Sequence, residues 1–181
     1  MTLVLLDRDG VVNRDSPHYI RQPEDWEPIP GSLEAIARLN RRGWQVAICT
    51  NQAGISRGLL TPEDLDAIHA RLHRELAALG GTLADIFVCP HADPDGCTCR
   101  KPSPGLLQQA CNALGYTPSE VTFIGDSARD LEAARRAGSR PLLVLTGNGQ
   151  RTLAEGAAEG CDVFQDLAAA AAGLLETGRE R

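Results

Sequence analysis

Short apolar runs alternate with amphipathic stretches along the whole chain. Leu3–Leu6, Val46–Cys49, Ile86–Cys89, Val121–Ile124 and Leu142–Leu145 are brief and rich in branched residues, which predicts buried strands. Cys161–Phe164 reads as a short sixth. Between them the apolar period lengthens. Thr61-Pro62-Glu63-Asp64 offers an N-cap, a proline at the first helical position and acid in the first turn. Leu65, Ile68, Leu72, Leu76 and Leu79 then recur at helical spacing. Ser103-Pro104 repeats the cap-and-proline signal ahead of Leu106, Leu107, Ala110 and Leu114, and further helices are predicted over Ser32–Arg41, Ala128–Ala137 and Asp166–Leu175. Strand and helix in alternation imply an α/β fold, a Rossmann-like doubly wound parallel sheet covered on both faces. Ligands of such sheets bind beyond the carboxyl ends of the strands.

At four of those ends the chain carries chemistry. The first strand runs into Asp7-Arg8-Asp9-Gly10, two carboxylates that can share a pocket beside a residue permitting a tight turn. A divalent cation would offset their repulsion, although Asp-x-Asp alone also suits a solvated loop. The second strand ends in Thr50-Asn51-Gln52, where a hydroxyl and adjacent amides can cradle a phosphoryl oxygen or simply make a turn. Arg100-Lys101-Pro102 supplies fixed cations after the third. Gly125-Asp126-Ser127, with Asp130 beyond, adds carboxylates that can complete a magnesium site or favour a helix N-terminus.

A fifth pattern is metal-like. Cys89-Pro90-His91 followed by Cys97-Thr98-Cys99 can close tetrahedrally around zinc through Cys89, His91, Cys97 and Cys99, leaving no open position. Such zinc is structural and would stabilise the loop that aims Arg100 and Lys101. The other three of the six cysteines, Cys49, Cys111 and Cys161, lie in apolar surroundings and read as buried core thiols. His69 and His73, four apart beside Arg71 and Arg74, read as part of a polar helix face.

Asp-x-Asp-Gly, Thr, Lys and Gly-Asp-x-x-x-Asp in this order, over nearly the whole chain, resemble the haloacid dehalogenase superfamily of phosphatases. The resemblance implies that Asp7 is the nucleophile and Asp9 the acid and base. Magnesium would bind Asp7, the Asp9 carbonyl and Asp126, with Thr50 and Lys101 on the transferring oxygens. Asp130 would orient Lys101 or a metal-bound water. Asn51, Gln52, Ala53, Arg100 and Lys101 would contact substrate. Asp9 favours phosphoryl transfer over dehalogenation, and the intervals Asp9–Thr50 and Thr50–Lys101 are filled by core elements, so a capless enzyme is expected. Val11 and Ser127 depart from the residues common at their positions.

Within the superfamily, the zinc clip and Cys-x-Cys-Arg-Lys-Pro point to two branches. One acts on a heptose 1,7-bisphosphate in ADP-heptose synthesis, the other on histidinol phosphate. Thr50-Asn51-Gln52-Ala53-Gly54-Ile55-Ser56-Arg57-Gly58 resembles the heptose branch, whereas the short clip resembles the histidinol branch. Arg57 would meet the distal phosphate of a bisphosphate or face solvent.

Length and charge bound the rest. The 181 residues suit one domain spanning 1–181. A net charge of −6 argues against nonspecific nucleic-acid binding, and no apolar run is long enough for a membrane span. The start Met1-Thr2-Leu3-Val4 lacks the marks of a signal peptide, so a cytoplasmic enzyme acting on a small phosphorylated sugar as a monomer is expected. A noncatalytic phosphosugar-binding module would have lost Asp7 or Asp9, and both are present.

Overall fold

The computed structural model describes residues 2–177. Six parallel strands, β1 (Thr2–Leu6), β2 (Trp44–Asn51), β3 (Ile86–Cys89), β4 (Thr122–Gly125), β5 (Arg140–Val144) and β6 (Asp162–Phe164), form one sheet in the order β3-β2-β1-β4-β5-β6. The helices are α1 (Ser32–Arg41), α2 (Pro62–Ala78), α3 (Gly105–Leu114), α4 (Ala128–Ala137), α5 (Gly149–Ala154) and α6 (Leu167–Thr177).

Alternation along the strands divides the core. Val4 and Leu6 pack with residues of α1, α2 and α6, while Leu3 and Leu5 pack with α3 and α4 on the opposite face. These four side chains are fully buried, as a strand covered on both sides requires. The chain builds outward from β1 to β3, then returns to lay β4 beside β1. This reversal opens a crevice at the carboxyl ends. Register brings the motifs level there: Leu6 pairs with Ile48 on one side and Ile124 on the other, so Asp7 comes one residue, and Thr50 and Asp126 two residues, past this level.

At α2, Thr61 Oγ1 accepts the Asp64 N–H at 3.1 Å while the Asp64 carboxylate accepts the Thr61 N–H at 2.8 Å. Leu65, Ile68, Leu72 and Leu76 are buried, but Leu79, just past the helix, is exposed. The expected cap at α3 is corrected: Pro104 occupies the N-cap position, and Ser103 does not cap the helix. The reason is the neighbouring loop. Gly105 N–H bonds the Thr98 carbonyl at 3.2 Å, and a Cβ on Gly105 would stand 2.4 Å from that oxygen. Among the thiols, Cys49 and Cys111 are buried as expected. Cys161 is only partly buried, beside Arg135 Nη2 at 3.0 Å. The short helix α5 had no signal, because its six residues carry no apolar period. Among the described residues no helix is long and apolar enough to cross a membrane.

Candidate active site

Asp7 follows β1 directly. Its N–H bonds the Ile124 carbonyl of β4 at 2.9 Å, which holds it in the crevice. Gly10, at φ 84°, turns the chain so closely past Asp126 that a Cβ there would lie 2.2 Å from Asp126 Oδ2. A Cβ on Gly147, in the loop after β5, would also lie 2.2 Å from that oxygen. Asn148 then donates to Asp126 Oδ2 from its backbone N–H at 2.7 Å and from its side chain at 3.2 Å. Three loops thus meet on one carboxylate.

Lys101 is buried between two acids, its Nζ 2.9 Å from Asp7 Oδ1 and 2.7 Å from Asp130 Oδ1. Burial alone would lower its pKa, but the two carboxylates outweigh it and hold Lys101 firmly protonated. Burial opposes the charge on Asp130 as well, yet Lys101 and the Ser127 donors hold its carboxyl below the usual range. Asp7 is raised well above that range by burial and then by Asp130, with Lys101 only partly compensating. Asp126 is pushed up to about 7, again by burial first and Asp130 second.

Asp7, Asp126 and Asp130 bring one oxygen each within 4.8 Å of one another. Asp130 is engaged through both oxygens, with Lys101 on one and Ser127 on the other. Asp7 Oδ2 and Asp126 Oδ1 accept no hydrogen bond among the described residues. Hard oxygen donors carrying more negative charge than one lysine offsets fit magnesium.

Asp9 is held differently. Its carboxylate accepts from Arg8 Nε at 3.1 Å, Arg8 Nη2 at 3.0 Å, Asn13 Nδ2 at 2.9 Å and Gln52 Nε2 at 2.9 Å. Gln52 also donates to Thr50 Oγ1 at 2.9 Å, so its side chain ties the two motifs together; Thr50 itself is buried beneath it. Asp7, Asp9, Asn51, Gln52, Ala53, Arg57, Arg100, Lys101, Asp126 and Asp130 all line one cavity of about 380 Å³. Arg57 stands at its edge, stacked 5.9 Å from the centre of the Tyr19 ring and bonded to its hydroxyl.

Cys89, His91, Cys97 and Cys99 bring one ligand atom each within 4.8 Å of one another. Cys99 Sγ lies 3.2 Å from Cys89 Sγ, 3.5 Å from Cys97 Sγ and 3.4 Å from His91 Nδ1. Cys89 Sγ is 3.6 Å from that nitrogen and 3.7 Å from Cys97 Sγ. A tetrahedral zinc with sulfur at about 2.3 Å spaces its ligands roughly 3.5–3.8 Å apart, close to this arrangement. Burial would raise Cys97, but the Arg100 N–H and neighbouring thiols bring it down to about 7, toward the thiolate that binds metal. Arg100 is anchored to the clip, its Nε 2.5 Å from Asp93 and its Nη1 3.1 Å from the His91 carbonyl.

Several residues around the site were not expected from the sequence. Arg8, Asn13 and Asn148 bond the carboxylates, and Arg129 lines the cavity. Only Arg8 carried a signal, as a cation between two acids. The reading of His69 as part of a polar face is corrected. It is buried, with Nε2 3.2 Å from Arg8 Nη1, because α2 packs that ring over the β1 loop; His73 remains exposed.

The family profile of haloacid dehalogenase-like hydrolases matches residues 1–138. The chain is 50% identical over 177 residues to D-glycero-β-D-manno-heptose-1,7-bisphosphate 7-phosphatase of Bordetella bronchiseptica, covering 97% of this chain and 99% of that one. It is 51% identical to the protein of that name from Pseudomonas aeruginosa, covering 97% and 98%. Among solved structures, the D,D-heptose 1,7-bisphosphate phosphatase of B. bronchiseptica, complexed with magnesium and phosphate, superposes with a TM-score of 0.95 at 49% identity, covering 98% of this chain and 99% of that one.

Proposed function

The chain belongs to the haloacid dehalogenase-like hydrolases, and on that premise we propose that it hydrolyses the 7-phosphate of D-glycero-D-manno-heptose 1,7-bisphosphate, a step of ADP-heptose synthesis. The β anomer is the form in the names of the relatives at about half identity, and it is the form proposed here. The observation that carries the reading is the Asp7 carboxylate on the cavity wall. One oxygen is fixed by Lys101 at 2.9 Å and the other accepts no hydrogen bond from the described residues.

An oxygen of Asp7 attacks phosphorus in line. The bond from phosphorus to the sugar oxygen breaks, and the phosphoryl group rests on Asp7. Asp9 gives its proton to the departing sugar oxygen, then takes one from the water that displaces Asp7 and releases phosphate. Thr50, Asn51 and Lys101 hold the transferring oxygens, where fixed donors stabilise developing charge. The Asp7 and Asp126 carboxylates with the Asp9 carbonyl would hold magnesium, which supplies positive charge against the transferring group. Cys89, His91, Cys97 and Cys99 would hold a structural zinc. Arg57 and Arg100 face the rest of the substrate, with Gln52 and Ala53 closing the wall between them. Asp130 keeps Lys101 aimed.

A single catalytic domain acting as a cytoplasmic monomer completes the reading. Free thiols suit a reducing compartment, and sedimentation would test the oligomeric state.

The deciding experiment measures phosphate release with magnesium from heptose 1,7-bisphosphate and from histidinol phosphate, with ³¹P spectra identifying the phosphate that remains. Faster release from the heptose, leaving the 1-phosphate, supports the proposal. Faster release from histidinol phosphate, or loss of the 1-phosphate, overturns it.

A further inference from the structure

Among the described residues Arg8 is one of the largest fully buried side chains, and its charge has one carboxylate partner there. Its guanidinium spans two elements. Nε and Nη2 reach Asp9 at 3.0–3.1 Å, and Nη1 reaches His69 Nε2, on α2, at 3.2 Å. A guanidinium has donors only, so Nε2 must be the acceptor, and the ring is neutral with its proton on Nδ1. Burial, then the Arg8 charge, push His69 down to about 3, which agrees with that tautomer; Asp9 opposes the shift and His73 adds slightly to it. His69 does not line the cavity and has no part in the chemistry proposed above.

We propose that His69 is a positioning residue for Asp9, acting through Arg8: it takes Nη1 of the buried guanidinium so that Nε and Nη2 present a fixed fork to the Asp9 carboxylate. The inference rests on the reading of Asp9 as the acid that protonates the departing sugar oxygen. Without an acceptor at position 69, Nη1 is left unpaired in a buried place, and the guanidinium gains by turning toward another partner. Asn13 and Gln52 would still hold Asp9 in the site, but its direction would no longer be set. A misdirected acid costs rate only where a proton must be delivered.

That distinction supplies the test. kcat/KM covers transfer to Asp7 and release of the alcohol, so it reports leaving-group protonation. It would be measured for heptose 1,7-bisphosphate, whose alkoxide needs a proton, and for p-nitrophenyl phosphate, whose phenolate leaves without one. His69→Leu, which fills the space without an acceptor, should lower kcat/KM on the sugar by about tenfold and on the nitrophenyl ester by less than about twofold. His69→Gln should restore the sugar reaction, because its amide oxygen can stand near the place of Nε2. Arg8→Lys keeps the charge and loses the fork, and should repeat the sugar-selective loss whether or not His69→Leu folds.

Equal losses on both esters, or failure of glutamine to rescue, would show a merely structural role and overturn the proposal. So would unchanged kinetics in His69→Leu and Arg8→Lys while Asp9→Asn keeps a sugar-selective loss. If Asp9→Asn itself shows no such selectivity, the acid role of Asp9 falls, and this proposal with it.

Discussion

Asn51 and Lys101 are joined twice, side chain to backbone: Asn51 Nδ2 donates to the Lys101 carbonyl, and Asn51 Oδ1 accepts the Lys101 N–H, both at 3.1 Å. One amide thereby locks the end of β2 to the loop that delivers the buried cation. Asn51→Ala should destabilise the protein by about 2 kcal/mol, since two main-chain groups lose their partners. It should also lower kcat by at least about tenfold as Lys101 loses its register. Urea unfolding and steady-state kinetics check both numbers. Aspartate at 51 should recover only the bond from the Lys101 N–H.

Asp130→Ala leaves Lys101 buried with Asp7 alone. Breaking a buried pair in this way should cost about 3 kcal/mol at pH 7, measured by denaturant unfolding. The pKa of Asp130 lies below its unfolded value, so its contribution is fully present above the ordinary carboxylate range and is lost as pH falls through the folded value. The gap between wild type and variant should therefore narrow in acid.

Magnesium should stabilise the fold more at pH 8 than at pH 5.5. Asp126 is raised to about 7 and Asp7 is raised as well, so the metal-free protein loses stability as pH climbs from the ordinary carboxylate range toward 7. Above 7 the cation meets an Asp126 already ionised; below it, a proton must leave Asp126 first, at about a tenfold cost in affinity per pH unit. Thermal melts at one magnesium concentration across this range would show the trend. Asp126→Asn should abolish most of the metal-induced rise in Tm, and an equal rise at both pH values would count against the assignment.

The clip should hold one zinc per chain, and stripping it should impair a reaction that zinc does not perform. With a zinc-selective chelator and magnesium restored, activity should fall by about tenfold or more, because Arg100 and Lys101 follow Cys99 directly. Elemental analysis and Tm would accompany the assay. Cys97→Ser should reproduce the effect, and full activity without zinc would refute the link.

Arg57→Ala should raise KM for the bisphosphate by about tenfold, the expected loss of one charged hydrogen bond, with kcat little changed. Heptose 7-phosphate, which lacks the distal group, should be nearly indifferent to the substitution. Equal effects on both substrates would place Arg57 elsewhere than at the distal phosphate.

Asp7→Asn should abolish turnover without lowering Tm in metal-free buffer. The lost carboxylate carries a charge that burial and Asp130 already oppose, so its removal relieves repulsion even as Lys101 gives up one partner. Normal turnover would remove Asp7 from the nucleophile's place.

The parallel sheet and most of the candidate site were legible in the chain because each depends on neighbours in sequence. A branched apolar run announces its strand, and Asp7, Thr50 and Asp126 each stand within a few positions of one, while Lys101 comes two residues after Cys99 of the clip. The clip was legible for the same reason, since His91, Cys97 and Cys99 follow Cys89, the last residue of β3, in one short segment. The start of α3 was misread because Thr98, not Ser103, meets its first N–H, a contact that depends on how the clip folds back.

The sequence by itself determined the alternation of strands and helices, the carboxylates at the strand ends and the cysteines and histidine of the clip, all set by local periodicity and local spacing. Tertiary structure alone decided that Asn148 holds Asp126, that Asn51 holds Lys101, and that of two histidines four apart on α2 one lies against Arg8 while the other meets solvent. A helical period places both rings near one side, but the worth of a buried polar group depends on the partner that meets it. That partner arrives from a distant strand, through a register no local pattern records.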